Sequence, residues 1–290
     1  MQRDAAAGPA EKAAGSGAGM PIPASPAVPA GTAGTAGTAP PPEAREIFGP
    51  VLPLAVQYAE LLAGPGVERG LVGPAETARI WDRHLLNCAV IAELIPVPCS
   101  VIDLGSGAGL PGIVLAMLLP DAEITLLEPM ARRVTFLEEC VSALGLANAT
   151  VCRGRAEDMA GQLAADVVIA RAVAPMDKLA VMAAGLARPG GLVLAIKGAG
   201  AAEEIIRAQA VLRRLGAQDV ELVQAGSGKV DPAATVVRFT TGPARSRSGR
   251  SFEPGAGGQH GSGPPPGRGG KATAGRGQSR KGRPNARRSG

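Results

Sequence analysis

Between about residue 46 and residue 240, short apolar runs alternate with longer segments whose apolar residues recur every three to four positions. Short runs of this kind are typical of buried strands, and the longer segments are typical of amphipathic helices. The predicted strands are residues 101–103, 123–128, 149–152, 166–170 and 192–196, and the helices between them are 113–119, 131–144, 176–187 and 203–215. Two last runs, 220–224 and 235–239, predict a hairpin. The alternation predicts an α/β fold: a mostly parallel sheet with helices on both faces and a terminal antiparallel hairpin.

Two helices are predicted before the first strand. The first covers residues 47–62, where Leu54, Tyr58 and Leu61 share one face, and we expect Gly64-Pro65-Gly66 to end it. The second begins near Pro74 and ends before Pro96. Together they predict a small N-terminal helical cap on the sheet.

The two ends of the chain have a composition that does not favour a packed core. Residues 1–42 are mostly Ala, Gly, Pro and Thr, and residues 241–290 are mostly Gly, Pro, Ser and Arg. We therefore predict a disordered extension (1–42), a helical cap (43–98), a ligand-binding α/β domain (99–240) and a disordered tail (241–290). The tail carries eleven Lys or Arg and one acid, although the whole chain has a net charge of only +5. A basic tail of this kind favours contact with nucleic acid.

The cysteines and the hydropathy indicate a cytoplasmic protein. Cys88, Cys99, Cys140 and Cys152 form no C-x-x-C pair and no zinc-site spacing, so we interpret them as buried thiols in a reducing compartment. No run approaches the roughly 20 consecutive apolar residues of a membrane span. We expect no metal site and no membrane association.

The first predicted strand ends in an acid, Asp103, and enters a loop with glycines at positions 105, 107, 109 and 112. Glycines allow a sharp turn and a close approach of the backbone to a ligand. The free N–H groups at the start of the following helix favour a polar or anionic ligand group. The strand, loop and helix together predict a nucleotide-type pocket.

Two classes of nucleotide fit this loop. Gly107-x-Gly109-x-x-Gly112 matches a dinucleotide fingerprint, and Glu128 ends the next strand. However, Asp103 stands where a dinucleotide-binding strand is normally apolar, and Pro111 removes an N–H donor that a pyrophosphate needs. An acid followed by Gly-x-Gly-x-Gly instead resembles the first motif of S-adenosylmethionine (SAM) methyltransferases. We favour SAM and retain a dinucleotide as the alternative.

Several polar residues stand at or just after the carboxyl ends of predicted strands, where ligands bind in such sheets. They are Gly105, Glu128, Arg155, Arg171 and Lys197, and we expect them to line one cleft. A carboxylate at the position of Glu128 can accept hydrogen bonds from both ribose hydroxyls. Arg171 and Lys197 end apolar strands, so each needs either a structural ion pair or a ligand such as an RNA phosphate or guanine O6.

Motifs along residues 46–240 resemble, in colinear order, the 16S ribosomal RNA guanine-N7 methyltransferases of the small subunit, the glucose-inhibited division protein B family. The motifs are Arg79-Ile-Trp-Asp-Arg-His-Leu-Leu-Asn87, Asp103-Leu-Gly-Ser-Gly-Ala-Gly-Leu-Pro-Gly-Ile113, Leu126-Leu-Glu-Pro-Met-Ala-Arg-Arg-Val-Thr-Phe-Leu137, Gly154-Arg-Ala-Glu-Asp158, Ile169-Ala-Arg-Ala172 and Ala195-Ile-Lys-Gly198. Many members of the family carry Asn-Leu-Thr where this chain has Gly70-Leu71-Val72. That departure concerns the cap and leaves the predicted pocket intact.

The resemblance implies a Rossmann-like class I SAM-dependent methyltransferase fold and methylation of a guanine N7 in 16S rRNA of the small ribosomal subunit. It implies that SAM binds Gly105, Leu110, Ala156, Glu157 and Arg171. Glu128, Asp103 and Gly107 complete the cofactor-binding residues that we predict.

Guanine N7 has a lone pair and no proton, so no catalytic base is expected. Arg171, Lys197 and Arg155 are predicted to position the substrate, and His84 to be a cap or packing residue bonded to Asp82 or Asn87. We expect a monomer whose basic tail contacts RNA. The alternatives are a SAM methyltransferase acting on another RNA, a protein or a small molecule; an NAD-linked reductase; and a non-enzymatic RNA-binding protein.

Overall fold

The structure, a computed structural model, describes residues 39–242, all of which lie in one compact unit. The predicted disordered extension (1–42) and basic tail (241–290) therefore lie outside the described residues, apart from their innermost ends. The first helix begins at Pro42, so the folded part starts at the last residue of the predicted extension.

A seven-stranded sheet forms the centre of the fold, with the strand order β3-β2-β1-β4-β5-β7-β6. The strands are β1 (Cys99–Leu104), β2 (Ala122–Glu128), β3 (Ala149–Arg153), β4 (Ala165–Arg171), β5 (Ala187–Lys197), β6 (Gln218–Ala225) and β7 (Ala234–Thr240). The first five are parallel, and β7 pairs antiparallel with both β5 and β6. The predicted Rossmann-like sheet with a terminal antiparallel hairpin is confirmed.

Helices cover both faces of the sheet because successive strand residues point to opposite sides. Val101 packs into the core beneath the cap, whereas its neighbour Ile102 packs into the core on the other face. The helices that follow β1 are α4 (Gly112–Leu118), α5 (Ala131–Leu144), α6 (Ala156–Met159), α7 (Met176–Leu186) and α8 (Ala201–Leu215). The cap, α4 and α5 share one core, and α6, α7 and α8 share the other.

The cap begins with α1 (Pro42–Phe48), a 3-10 turn (Gly49–Val51), α2 (Leu52–Leu61) and a π-helical turn (Leu62–Gly66). The prediction that Gly64-Pro65-Gly66 ends the helix is wrong, because the chain continues through this segment as the wider π-helical turn. The rest of the cap contains a 3-10 helix (Pro74–Arg79), a π-helical turn (Ile80–Leu85), α3 (Leu86–Ala89) and a 3-10 helix (Val90–Leu94).

The helical run Pro42–Gly66 has 25 residues and contains an 18-residue window with a mean hydropathy of 1.3, which is long and apolar enough for a membrane-spanning helix. Charged or polar residues, among them Glu46, Gln57 and Glu60, interrupt the run, so it does not hold 20 consecutive apolar residues. Its apolar side chains face the core of the unit, however, and Ala55, Tyr58, Ala59 and Leu62 are fully buried there. These residues pack against α4, α5 and the other helices of the cap, and 28% of the apolar window is buried.

Strand β5 is longer than the sequence predicts. The pattern predicts a turn at Pro189-Gly190-Gly191 before a strand at 192–196, whereas the observed strand begins at Ala187. An irregularity in the pairing of β4 with β5, between Ala165 and Val167, accommodates the extra residues. The carboxyl end of β5 still falls at Lys197, as predicted.

Candidate functional site

The glycine loop connects β1 to α4 and passes over the carboxyl end of β2. The N–H groups of Gly105 and Ser106 donate to Leu127 O over 2.9 and 3.1 Å, and that of Gly107 donates to Glu128 Oε2 over 3.0 Å. Gly109 has φ +97°, and a Cβ added there would lie 2.4 Å from Ile113 Cδ1. The loop is thus fixed to the second strand in a conformation that requires glycine.

Asp103 lies beneath this loop and is fully buried. Its Oδ2 accepts a hydrogen bond from Gly112 N over 3.0 Å. Its Oδ1 is buried and has no hydrogen-bond partner within residues 39–242. Burial raises the pKa of Asp103 to about 6. The carboxylate therefore supports the first turn of α4, and its second oxygen stays buried beneath the loop.

Glu128, at the end of β2, is also buried, with 1% of its surface exposed. Its Oε2 accepts from Gly107 N and its Oε1 accepts from Met130 N, both over 3.0 Å, and Arg133 Nη1 lies 3.5 Å from Oε2. The carboxylate therefore fixes the glycine loop to the start of α5. Each oxygen keeps a second lone pair with which it can accept a hydrogen bond from a ligand hydroxyl.

Tyr58 supports the loop from the cap. Its side chain is fully buried, and its O–H donates to Ala108 O over 2.7 Å. A buried tyrosine needs a partner for its hydroxyl, so its position on an apolar helix face was a signal of this contact. The sequence pattern identified Tyr58 only as a core residue.

Removing this hydroxyl is expected to destabilise the protein. Tyr58→Phe should lower the free energy of unfolding by about 1–3 kcal/mol, because Ala108 O is left without its partner in a half-buried loop. Thermal denaturation of the purified variant measures the effect. A melting temperature equal to that of the unaltered protein would contradict this role for the hydrogen bond.

A cleft with a volume of about 1280 Å³ opens at the carboxyl ends of the central strands. Its walls come from the cap, the glycine loop, the segments after β4 and β5, and the start of β7. The residues that matter for its chemistry are Glu76, Arg79, Arg83, His84, Gly105, Gly107, Leu110, Arg133, Arg171, Lys197 and Asp231. The glycine loop, Arg171 and Lys197 therefore meet in one cleft, as predicted.

Arg171 ends β4 and contacts the cap. Its Nη2 lies 2.9 Å from His84 Nδ1, and its Nη1 donates to Arg83 O over 3.3 Å. The other ring nitrogen of His84, Nε2, lies 3.0 Å from Glu76 Oε2. The expectation that His84 bonds to Asp82 or Asn87 is wrong, since the π-helical turn directs the ring toward Arg171 and Glu76 while Asn87 donates to backbone carbonyls.

Lys197 forms a structural ion pair, which was one of the two predicted possibilities. Its side chain is only 7% exposed, and Nζ donates to Glu204 Oε2 and to Ala174 O, both over 2.8 Å. Glu204 Oε2 also accepts from Met176 N. Lys197 thus connects β5, the segment after β4 and α8, and fixes that wall of the cleft.

Arg155 lies apart from Arg171 and Lys197. It lines a second, smaller cleft of about 550 Å³ with Pro129, Met130, Arg153, Gly154 and Asp158. The expectation that all of the strand-end residues line one cleft is wrong for Arg155. The reason is that β3 is an edge strand and β5 lies four strands away from it in the sheet. Strand spacing alone separates these strand ends by roughly 19 Å.

Ala156 and Glu157 begin α6 on the same side as the second cleft, Ala156 buried and Glu157 exposed. Glu128 lies between the two clefts, because it binds Gly107 of the larger cleft and Met130 of the smaller one. Glu128 itself is buried and lines neither cleft. The predicted cofactor residues are thus arranged along a path over the ends of β4, β1, β2 and β3.

The site offers backbone donors, buried carboxylates and cations, and no set of metal ligands. Within residues 39–242, no group of three or more His, Cys, Asp or Glu side chains could hold a metal ion. The buried thiols of Cys88 and Cys140 have raised pKa values, about 11 and about 12, because of burial. They are therefore protonated at neutral pH and packed in the core.

Comparison with known proteins gives the family. A family model described as rRNA small subunit methyltransferase G (GidB) matches residues 52–231. The ribosomal RNA small subunit methyltransferase G of Thermobifida fusca is 56% identical over 201 residues, which cover 69% of this chain and 85% of that protein. The protein of the same name from Streptomyces coelicolor is 53% identical over 203 residues, covering 70% and 85%.

Among solved structures, the precorrin-6y C5,15-methyltransferase of Geobacter metallireducens GS-15 matches with 15% identity and a TM-score of 0.42, over 60% of this chain and 91% of that one. The family match rests on the sequence relatives, which cover the cap, the glycine loop and the strand-end motifs together. The chain belongs to the rRNA small subunit methyltransferase G family.

Proposed function

We propose that this protein is a class I SAM-dependent methyltransferase that methylates N7 of one guanine in 16S rRNA of the small ribosomal subunit. The family and its relatives, named for methylation of small-subunit rRNA, support this function. The observation that carries it is the glycine loop above Asp103, a buried carboxylate with one unpartnered oxygen. A buried carboxylate with an unsatisfied oxygen costs free energy, so a cationic ligand bound near this loop accounts for its presence.

The residues present fit the cofactor. Asp103 would face its cationic end across the loop of Gly105 and Gly107. Glu128 would accept from the ribose hydroxyls, and Ala156 and Glu157 would contact the adenine. Leu110 and Arg171 belong to the wall of the larger cleft. When bound, SAM supplies a methyl group carried on a sulfonium cation.

The chain's own contribution to the reaction is to position and shield the reactants. Guanine N7 attacks through an in-plane lone pair and loses no proton, so no general base is required. His84 could not serve as one, since Arg171 and Glu76 occupy its two ring nitrogens. Catalysis then depends on placing the base in line with the methyl group and excluding water.

The cations of the larger cleft must avoid N7 itself, because methylated guanine carries a fixed positive charge. We propose that Arg171 contacts an anionic oxygen or guanine O6, where a cation stays favourable as the reaction proceeds. Lys197 acts by fixing the wall of the cleft, through Ala174 and Glu204. We propose that Arg155, which lines the smaller cleft, contacts RNA phosphates.

N7 lies in the deep major groove of A-form RNA, where side chains do not reach it. We therefore propose that the target guanine lies in a loop or a locally opened segment of the small subunit. We further propose that the protein acts as a monomer in the cytoplasm and that the basic tail, residues 241–290, contacts the RNA.

Transfer of labelled methyl groups tests the reaction class. The protein is incubated with methyl-labelled SAM and small subunits from cells that lack this methylation, and RNA and protein are then separated. Label in 16S rRNA is expected. Label in ribosomal protein, in another RNA or in small molecules only would favour the alternative, a methyltransferase with another substrate.

Truncation of the chain after Thr241 tests the role of the tail. Thermal stability and SAM affinity should stay unchanged, because β7, the last strand of the sheet, ends at Thr240 and is retained. RNA binding should weaken, and the slope of log affinity against log salt should fall by roughly 0.7–0.9 for each phosphate that the tail neutralises in the full chain. If affinity and slope are both unaltered, the tail does not contact RNA.

A further inference from the structure

Three polar groups from two parts of the fold meet at the wall of the larger cleft. Glu76 and His84 belong to the cap, and Arg171 ends β4 in the sheet. Glu76 Oε2 lies 3.0 Å from His84 Nε2, and His84 Nδ1 lies 2.9 Å from Arg171 Nη2. Only 15% of the His84 side chain is exposed. These contacts form a continuous hydrogen-bonded row from the cap to the sheet.

The chemistry of the groups fixes the direction of each hydrogen bond. The Arg171 guanidinium can only donate, so Nδ1 of His84 must be the acceptor. The ring is then neutral with its proton on Nε2, which donates to the Glu76 carboxylate. Burial and the Arg171 charge lower the pKa of His84, which favours this neutral form. Glu76 therefore determines the tautomer that Arg171 needs.

The cap holds the guanidinium at two points. Arg83 O accepts from Nη1, and both Arg83 and His84 lie in the π-helical turn Ile80–Leu85. Turns of this kind are frequent at functional sites. A guanidinium has five N–H donors, so the two held by the cap leave three for a ligand in the cleft.

We propose that His84, with its tautomer set by Glu76, is a positioning residue that orients the Arg171 guanidinium toward an anionic oxygen of the bound reactants. This inference rests on the proposed function, since it assigns Arg171 a ligand in that cleft. The anionic group is either a carboxylate of the cofactor or an RNA phosphate, which a guanidinium recognises in the same way. The row fixes the side chain before the ligand binds and so reduces the entropy lost on binding.

A pair of substitutions tests this role. His84→Asn keeps an acceptor near the position of Nδ1, whereas His84→Leu removes the acceptor and keeps an apolar side chain of moderate size. We expect His84→Leu to lower kcat/KM on small subunits at least tenfold and His84→Asn to recover most of that loss. The control is Glu139→Gln, which alters the exposed Arg69–Glu139 ion pair away from the cleft and should leave kcat/KM unchanged.

Two binding measurements identify the anionic group. If Arg171 holds the cofactor, His84→Leu should raise the Kd for SAM by about tenfold, and if it holds RNA, the KM for subunits should rise while the Kd for SAM stays constant. The pH profile gives a further readout. In the unaltered protein, the constant that His84→Leu raises (the Kd for SAM or the KM for subunits) should also rise as the pH falls below the ordinary range of histidine. The reason is that a protonated ring repels Arg171. Of the charged groups facing the ring, Glu76 favours protonation and raises the pKa of His84, whereas Arg83 and Arg171 favour the neutral form.

The same experiments can overturn the inference. Unchanged Kd and KM in a folded His84→Leu protein would do so. Equal losses in the Asn and Leu variants, together with an equal loss of thermal stability, would show that His84 only packs. If instead the unaltered protein neither binds SAM nor methylates subunits, the proposed function itself has failed.

Discussion

Replacing Glu128 with alanine is expected to weaken SAM binding by about 1.5–3 kcal/mol, roughly 10- to 150-fold in Kd. The predicted loss comes from charge-assisted hydrogen bonds to the ribose. The structure adds a second effect, because the carboxylate also accepts from Gly107 N and Met130 N. The variant should therefore also lose thermal stability in the absence of cofactor, on the order of 1–3 kcal/mol.

Calorimetric titration with SAM and thermal denaturation separate these two effects. Glu123→Ala is a matched control, because Glu123 is an exposed acid on the same strand. Glu123→Ala should change neither the Kd for SAM nor the thermal stability appreciably. An unaltered Kd for a folded Glu128→Ala protein would remove Glu128 from the cofactor site and leave it only a structural role in the loop.

The second large effect concerns Asp103 and depends on pH. Its pKa is about 6 in the folded protein against an ordinary 3.8, so the folded state binds its proton more tightly than the unfolded state does. Stability from this group is fully present below about pH 4 and is lost as the pH rises through about 6. The shift corresponds to a loss on the order of 3 kcal/mol.

Asp103→Asn should abolish this contribution, because an amide oxygen can still accept from Gly112 N and carries no charge. Without cofactor, the variant should therefore be at least as stable as the unaltered protein at pH 7.5. Its affinity for SAM should fall at least tenfold, since the cofactor's cationic end loses a buried carboxylate. Denaturation curves between pH 4.5 and 8 and calorimetry with SAM measure both. A stability difference that does not vary with pH would contradict the assignment.

For Asp103→Asn we expect stability without cofactor to be kept or raised and SAM affinity to fall, and these two effects have a common cause. Asp103 is kept at a position where its charge destabilises the empty protein, with Oδ1 buried and unpartnered in the described structure. Such a residue is expected at a functional site, where local stability is given up for ligand binding.

The sheet could be predicted from the sequence because its signals are local. Each strand is an apolar run of its own, and the acid and glycines of residues 103–112 mark where β1 ends and α4 begins. The predicted helix 131–144 matches α5, which is followed by Gly145 in the αL conformation that favours glycine. The cap was predicted in outline only. Its π-helical turns pack against neighbouring helices of the cap, and no local pattern records these contacts.

The row of Glu76, His84 and Arg171 could not be found in the same way. His84 and Arg171 are 87 positions apart, and the partner expected for His84 was a sequence neighbour. Arg155 shows the converse problem. It follows the end of its strand as expected, but the order of the strands decides which strand ends are neighbours, and that order could not be read from the sequence alone.

Mapping of N7-methylguanosine in small-subunit rRNA tests the central claim most directly. Subunits that lack the modification are incubated with the protein and SAM, and the 16S rRNA is then reduced and treated with aniline, which cleaves the strand at N7-methylguanosine. We predict one new cleavage that depends on both protein and SAM and that lies at a guanine in a loop or opened segment. Absence of any new cleavage, with the methyl group found on protein, on a carbon or on an exocyclic nitrogen, would contradict the account.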